Sequence, residues 1–214
     1  MKYLQSVVSI VILSMAFTIH LNAQSWVPIA IGVGGGLNLA ENITYPTILG
    51  KSTRTGFSLG ASFEVSVREE LSLVGEIMHW QGGYELDTSS ANTTLKANYV
   101  GIFISPKCVF LSKESTVRPF VFAGGGIAFS TRFRYDVESP DTNYSLDWKD
   151  STLSPDISAH FGAGIEINIS DQFMLFFNGR YSFGLKDVYK PGGSWQEINT
   201  RNLPIMAGIV LKLK

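Results

Sequence analysis

The chain has 214 residues, a formal net charge of -1 and a pI near 6.3. That gives room for one domain and none of the basic excess that nucleic-acid binding requires, so neither DNA nor RNA is an expected partner. Mean hydropathy is +0.14, yet beyond the extreme N-terminus no apolar run approaches the ~20 residues of a membrane-spanning helix.

The N-terminus reads as a secretory signal peptide over residues 1–23. Lys2 supplies the positive end, Val7 to Phe17 the apolar stretch, and Leu21-Asn22-Ala23 a small-residue cleavage site before Gln24. The one cysteine, Cys108, is far from that site, so neither lipid attachment there nor an internal disulfide is expected. Four Asn-x-Ser/Thr triplets, at Asn42, Asn92, Asn143 and Asn168, would be glycosylation acceptors in a eukaryotic secretory route and coincidence in a bacterial one.

From Ile29 onward the dominant period is two, the signature of strands with two different faces. Eight such segments are predicted at 28–40, 54–66, 71–84, 95–110, 117–135, 157–170, 172–186 and 202–213. In the sixth, Ile157, Ala159, Phe161, Ala163, Ile165, Ile167 and Ile169 oppose Ser158, His160, Gly162, Gly164, Glu166, Asn168 and Ser170. In the last, Leu203, Ile205, Ala207, Ile209, Leu211 and Leu213 share one face. The connections alternate between long (41–53, 85–94, 136–156, 187–201) and short (67–70, 111–116, 170–171), with the short ones all on one side.

This pattern predicts an all-β protein, an eight-stranded antiparallel up-and-down transmembrane β-barrel occupying 24–214, with no separate second domain. Closure pairs every backbone polar group in a medium that offers no partners, and short periplasmic turns with longer external loops put both termini in the periplasm. Phe57, Tyr84, Phe129, Phe133, Tyr135, Tyr181 and Phe183 fall at the outer strand ends, where rings favour the membrane boundary. A soluble eight-stranded barrel of lipocalin type would reverse the faces, apolar inside and polar outside.

Glu64, Glu76, Arg118, Arg132, Glu166, Arg180 and Lys212 alternate with apolar neighbours and are expected to face the lumen as a structural charge network. Eight strands enclose little more than their own side chains, so these charges should pair and plug the barrel. Gly32, Gly34, Gly36, Gly124 and Gly126 would leave volume for the long Arg and Glu side chains or bend the strands.

Motifs that resemble chemistry lack their context. Gly56-Phe57-Ser58-Leu59-Gly60 has the nucleophile-elbow spelling but continues a strand. Gly50-Lys51-Ser52 lacks the glycine five residues earlier, where Tyr45 stands. Gly32-Val33-Gly34-Gly35-Gly36 opens no helix that could receive a phosphate. His79 and His160 have no partner at metal-ligand spacing, so no metal or cofactor is expected. His160 with Ser158 and Glu166 on one strand face is the one enzyme-like constellation, of the kind a lipid-modifying barrel would use.

The Asn22-Ala23-Gln24 processing site, the glycine-rich first strand and Tyr99-Val100-Gly101-Ile102-Phe103-Ile104-Ser105-Pro106-Lys107 resemble the PorT-like family of outer-membrane β-barrels, and more distantly the OmpA-like transmembrane domain. The chain departs from many such barrels by ending Leu211-Lys212-Leu213-Lys214 rather than on an aromatic residue. The resemblance implies an integral barrel of the bacterial outer membrane, surrounded by its lipid, with envelope or secretion proteins as partners. The expected function is a non-enzymatic structural or surface-binding barrel with a polar, plugged lumen, its loops, above all 136–156 with Tyr144 and Trp148, meeting external partners. Behind it stand a secretion or assembly component, a narrow solute channel and a lipid-modifying enzyme.

Overall fold

A computed structural model describes residues 29–45, 51–87, 92–112, 114–138, 143–147, 155–185 and 197–213. The expected signal peptide and Trp148 lie outside them. The strands are β1 (Ile29–Tyr45), β2 (Lys51–Ser66), β3 (Leu71–Asp87), β4 (Asn92–Val109), β5 (Val117–Glu138), β6 (Asn143–Asp147), β7 (Asp156–Asn168), β8 (Phe173–Gly184) and β9 (Glu197–Leu213).

Each strand pairs antiparallel with its neighbour in sequence, apart from the side pairing of β6, and β1 pairs β9 from Ile29↔Leu213 to Tyr45↔Glu197, which closes the sheet. The ring therefore contains eight strands, β1 to β5 and β7 to β9. The ninth, β6, lies within the segment expected to be loop and pairs only with the upper end of β5, Arg134↔Asp147 to Glu138↔Asn143. Most ring strands run beyond their predicted limits toward the long-loop end, where β3 and β4 stay paired up to Asp87↔Asn92.

The alternation has its expected physical result. On β4, burial alternates residue by residue over nearly the whole strand, with Tyr99, Gly101, Phe103, Ser105 and Lys107 inside and Val100 and Ile102 outside. The outer wall carries Ile31, Val33, Leu59, Phe63, Ile77, Phe161, Phe177 and Ile209 in exposed positions. A wall so apolar is at home in lipid, and the closed ladder satisfies the backbone there.

Two irregularities shape the long-loop end. Between β4 and β5 the register passes from Tyr99↔Ser130 to Asn98↔Arg132, so Thr131 is an extra residue, and its hydroxyl donates to the Asn98 carbonyl at 3.3 Å. One inserted residue exchanges the two faces of everything beyond it. Between β2 and β3, Ser58↔Trp80 is followed by Thr53↔Tyr84, one residue too many on β2. Nearby Gly83 has φ 126°, and a Cβ there would collide with the Leu95 carbonyl oxygen, so only glycine fits.

Candidate functional site

The interior is layered. Toward the short-turn end, Lys107 of β4 sits between two carboxylates, its Nζ 2.5 Å from Glu64 on β2 and 2.6 Å from Glu166 on β7. Arg118 on β5 adds a longer contact to Glu166 at 3.6 Å. Lys212 on β9 donates to the Asn168 side-chain carbonyl at 2.8 Å. One level higher, the Arg180 guanidinium donates to Glu76 across the barrel and packs over Phe103 and Phe122, 5.5 and 5.1 Å from the ring centroids.

The upper interior is apolar. Trp80 stacks on Tyr99 at 5.4 Å and tilts against Phe103 at 5.7 Å, and Met78, Tyr84, Leu95, Phe133 and Met206 close around them. Polar groups line the flank of this layer: Asn38 donates to the Gln81 carbonyl at 2.7 Å and Thr200 to Asp156 at 2.5 Å. Among the described residues, a space of about 50 Å³ lies beside Lys107 and Arg180 and one of about 10 Å³ beside Trp80 and Asp156.

Of the seven charged residues predicted for the lumen, the structure brings Glu64, Glu166 and Arg118 together around Lys107, pairs Glu76 with Arg180, and holds Lys212 on Asn168. Arg132 is the exception. It lies beyond the inserted Thr131, so its side chain is on the outside and exposed, while Phe133 takes the inward position. The same reversal turns Phe133 and Tyr135 inward, while Tyr84 simply shares the inward parity of Met78 and Trp80 on β3, and together they correct the expected aromatic boundary. Tyr84 and Phe133 are buried and Tyr135 is partly buried against the same core, whereas Phe57 and Phe129 are exposed on the wall.

Two inward features lacked a signal in the composition of their own strand. Lys107 shares parity with Phe103 and Ser105, but the neighbouring proline conceals the alternation, although the register runs unchanged from Ile104↔Gly125 to Lys107↔Phe122. The glycines make room for rings more than for long charged side chains. A Cβ on Gly126 would strike Phe103, on Gly162 Phe122, on Gly164 Phe120, and on Gly34 or Gly208 Phe176. Glycine facing an aromatic one strand away was the readable sign.

The enzyme-like constellation does not assemble. His160 meets Ser105 of β4, Nε2 to Oγ 2.6 Å, and lies between Phe103 and Phe122. Glu166 is six residues along the same strand, roughly 20 Å away, and engaged with Lys107. Ser58 is 2% exposed inside β2, with no helix after it. Among the described residues no group of three or more His, Cys, Asp or Glu side chains gathers as a metal site would require.

A family model described as "outer membrane protein beta-barrel domain" matches residues 22–190. The chain belongs to that family. Its outer-membrane barrel architecture is shared with solved structures of low sequence identity. Neisserial surface protein A (NspA) superposes with a TM-score of 0.54 at 15% identity, covering 86% of this chain and 97% of that one. The outer membrane protein OprG of Pseudomonas aeruginosa gives 0.50 at 8% identity, covering 89% and 98%. At such identities the likeness speaks to the fold. No curated protein matches this outer-membrane barrel. The family places the barrel in the bacterial outer membrane, and the apolar wall with a closed ring agrees with that placement.

Proposed function

We propose that this outer-membrane barrel is a non-enzymatic, non-conducting scaffold whose working surface is the long-loop end. The reading is supported by the ion-paired side chains below and the stacked rings above, which occupy the described interior. The short connections, such as 67–70 and 169–172, face the periplasm in this reading, together with both chain ends. The strands that continue toward the other end, and the β5–β6 hairpin with exposed Tyr144, then project outside and meet envelope partners.

The resemblance to PorT-like barrels supports a more specific variant, membership in a protein secretion or assembly apparatus. Mild-detergent purification of the tagged protein from native outer membranes distinguishes the two. A lone, heat-modifiable monomer is the result expected for the stand-alone barrel. A stoichiometric partner from an export apparatus would replace that reading with the secretion component. Replacing His160 by Ala is expected to leave the lipid profile of the host unchanged; an altered profile would contradict the non-enzymatic reading.

A further inference from the structure

The acids inside the barrel are not all treated alike. Glu64 and Glu166 share Lys107, and Glu76 holds Arg180. Asp156, by contrast, opens β7 at the long-loop end, is 2% exposed, and among the described residues forms no ion pair with any Lys, Arg or His. Its Oδ2 accepts from the Thr200 hydroxyl at 2.5 Å, while its Oδ1 has no hydrogen-bond partner. A Cβ on Gly184 would come within 3.0 Å of that Oδ1, so glycine gives the carboxylate its place. A carboxylate buried with one hydrogen bond and no counter-charge is costly unless something positive completes it.

Other oxygens gather at the same place. Asn38 on β1 is fully buried, and its amide nitrogen donates to the Gln81 carbonyl at 2.7 Å and to the Asn202 side-chain oxygen at 3.3 Å. Its own Oδ1 is left without a partner. Asn38, Asp156 and Asn202 line one cavity of about 10 Å³ together with Ser158 and Ser182, and all five side chains are less than a tenth exposed. That is room for one atom-sized guest. Arg180 also borders the cavity, but its guanidinium is held by Glu76 and the Met78 sulfur. The Trp80 indole N–H, unpartnered in the same wall, is a donor and cannot ligate a cation; a water in the cavity would satisfy it but would bring Asp156 no charge.

We propose that this cavity binds a single dehydrated sodium ion, ligated by Asp156 Oδ1, the side-chain oxygens of Asn38 and Asn202, and the hydroxyls of Ser158 and Ser182. Carboxylate, amide and hydroxyl oxygens suit hard cations. One carboxylate balances one positive charge, whereas Ca²⁺ would leave a charge over in an interior that already holds Arg180. Mg²⁺ keeps waters for which the cavity has no room, and the small space favours sodium over the larger potassium. The ligands come from β1, β7, β8 and β9. Since β8 ends at Gly184 while β1 and β9 run on as a pair to Tyr45↔Glu197, the ion fastens the two shorter strands to the two longer ones. The site lies in the lumen and is independent of the scaffold reading, which stands or falls on other measurements.

The test uses the full protein folded in mild detergent, with sodium chloride as probe against N-methylglucamine chloride at equal ionic strength and neutral pH. An ion that binds only the folded state is expected to shift the urea unfolding equilibrium roughly tenfold or more toward folding. Sodium should also slow amide exchange around Ala128↔Asp156 and Ser182↔Asn202 while leaving that around Lys107↔Phe122 unchanged. Asp156→Asn keeps the shape of the side chain and is expected to abolish both effects. Equal stability and exchange in the two salts would overturn the assignment, the carboxyl then being protonated or the cavity filled by water. A sodium effect spread evenly over the barrel, one that survives Asp156→Asn, or stabilisation by calcium chloride with none by sodium would overturn it as well. Ser182→Ala removes one ligand and keeps the charge, so it reads the site even if Asp156→Asn does not fold. It is expected to raise the sodium concentration at half effect roughly threefold or more, and an unaltered midpoint would contradict the coordination.

Discussion

The two halves of the barrel interior solve the same packing problem by different means. Toward the short turns, space is filled by charge: Glu64, Lys107, Glu166, Arg118, Glu76 and Arg180 hold one another across the barrel. Toward the long loops it is filled by rings and thioethers, Trp80, Tyr99, Phe103, Phe133, Met78 and Met206. The lower half depends on complementarity between particular partners, so losing one member leaves a buried charge without compensation. The upper half depends on volume and tolerates changes of similar size. Arg180 belongs to both, pairing with Glu76 while its guanidinium rests on Phe103 and Phe122.

The sharpest way to break this contrast is Lys107→Met. It removes the cation shared by Glu64 and Glu166, and we expect a loss of about 3–5 kcal/mol, the usual cost of orphaning a buried charge. Urea unfolding in detergent or lipid vesicles measures it, and adding Glu64→Gln should recover part of the loss. If Lys107→Met costs nothing, the lower half is held by packing alone and the contrast fails. In the upper half, Trp80→Ala should cost roughly 3 kcal/mol from lost burial and the cavity left behind, while Trp80→Phe costs distinctly less. A difference of that kind between truncation and ring exchange is the mark of a volume-filled core.

A smaller effect is expected at Gly83→Ala, which meets both the positive φ and the Leu95 carbonyl oxygen. Strain of this kind costs about 1–3 kcal/mol, and hydrogen exchange should show it as loosened pairing around Tyr84↔Leu95. Smallest is the acid response of the β5–β6 hairpin. Hydrogen bonds from Lys96, first, and from Ser145 hold the Asp136 carboxyl well below the usual carboxylate range. A group depressed in the folded state contributes stability above its ordinary value, near 3.9, and loses it as pH falls toward the folded value. The hairpin should therefore exchange its amides faster below about pH 4, with a free-energy change under about 1 kcal/mol because the pairs are near the surface. Asp136→Asn should remove that dependence.

The ring was legible because lipid on one side and a packed lumen on the other impose alternation on every strand, and all eight ring strands carry it. What escaped reading was parity across irregularities. One residue, Thr131, decides that Arg132 lies outside and Phe133 inside, and nothing in Phe129-Ser130-Thr131-Arg132 announces which residue the partner strand will skip. Tyr135 lies beyond the same insertion, whereas Tyr84 keeps the parity of Trp80 and was misplaced because an aromatic at a strand end suits the membrane boundary and the top of a lumen equally well. Lys107 was obscured by the neighbouring Pro106, although the register runs through it unchanged. The short strand β6 owes its place to pairing with an overhanging β5, a tertiary effect with little trace in five residues.

The reading of this barrel as closed rests on the ion pairs and rings that occupy its described interior. Planar-bilayer recording of the purified, folded protein tests it most directly. Membranes containing the wild-type barrel should show no steady conductance above background across neutral pH and moderate salt. A stable, ohmic current carried by the wild-type protein would contradict the filled interior, and with it the reading of this barrel as a closed scaffold.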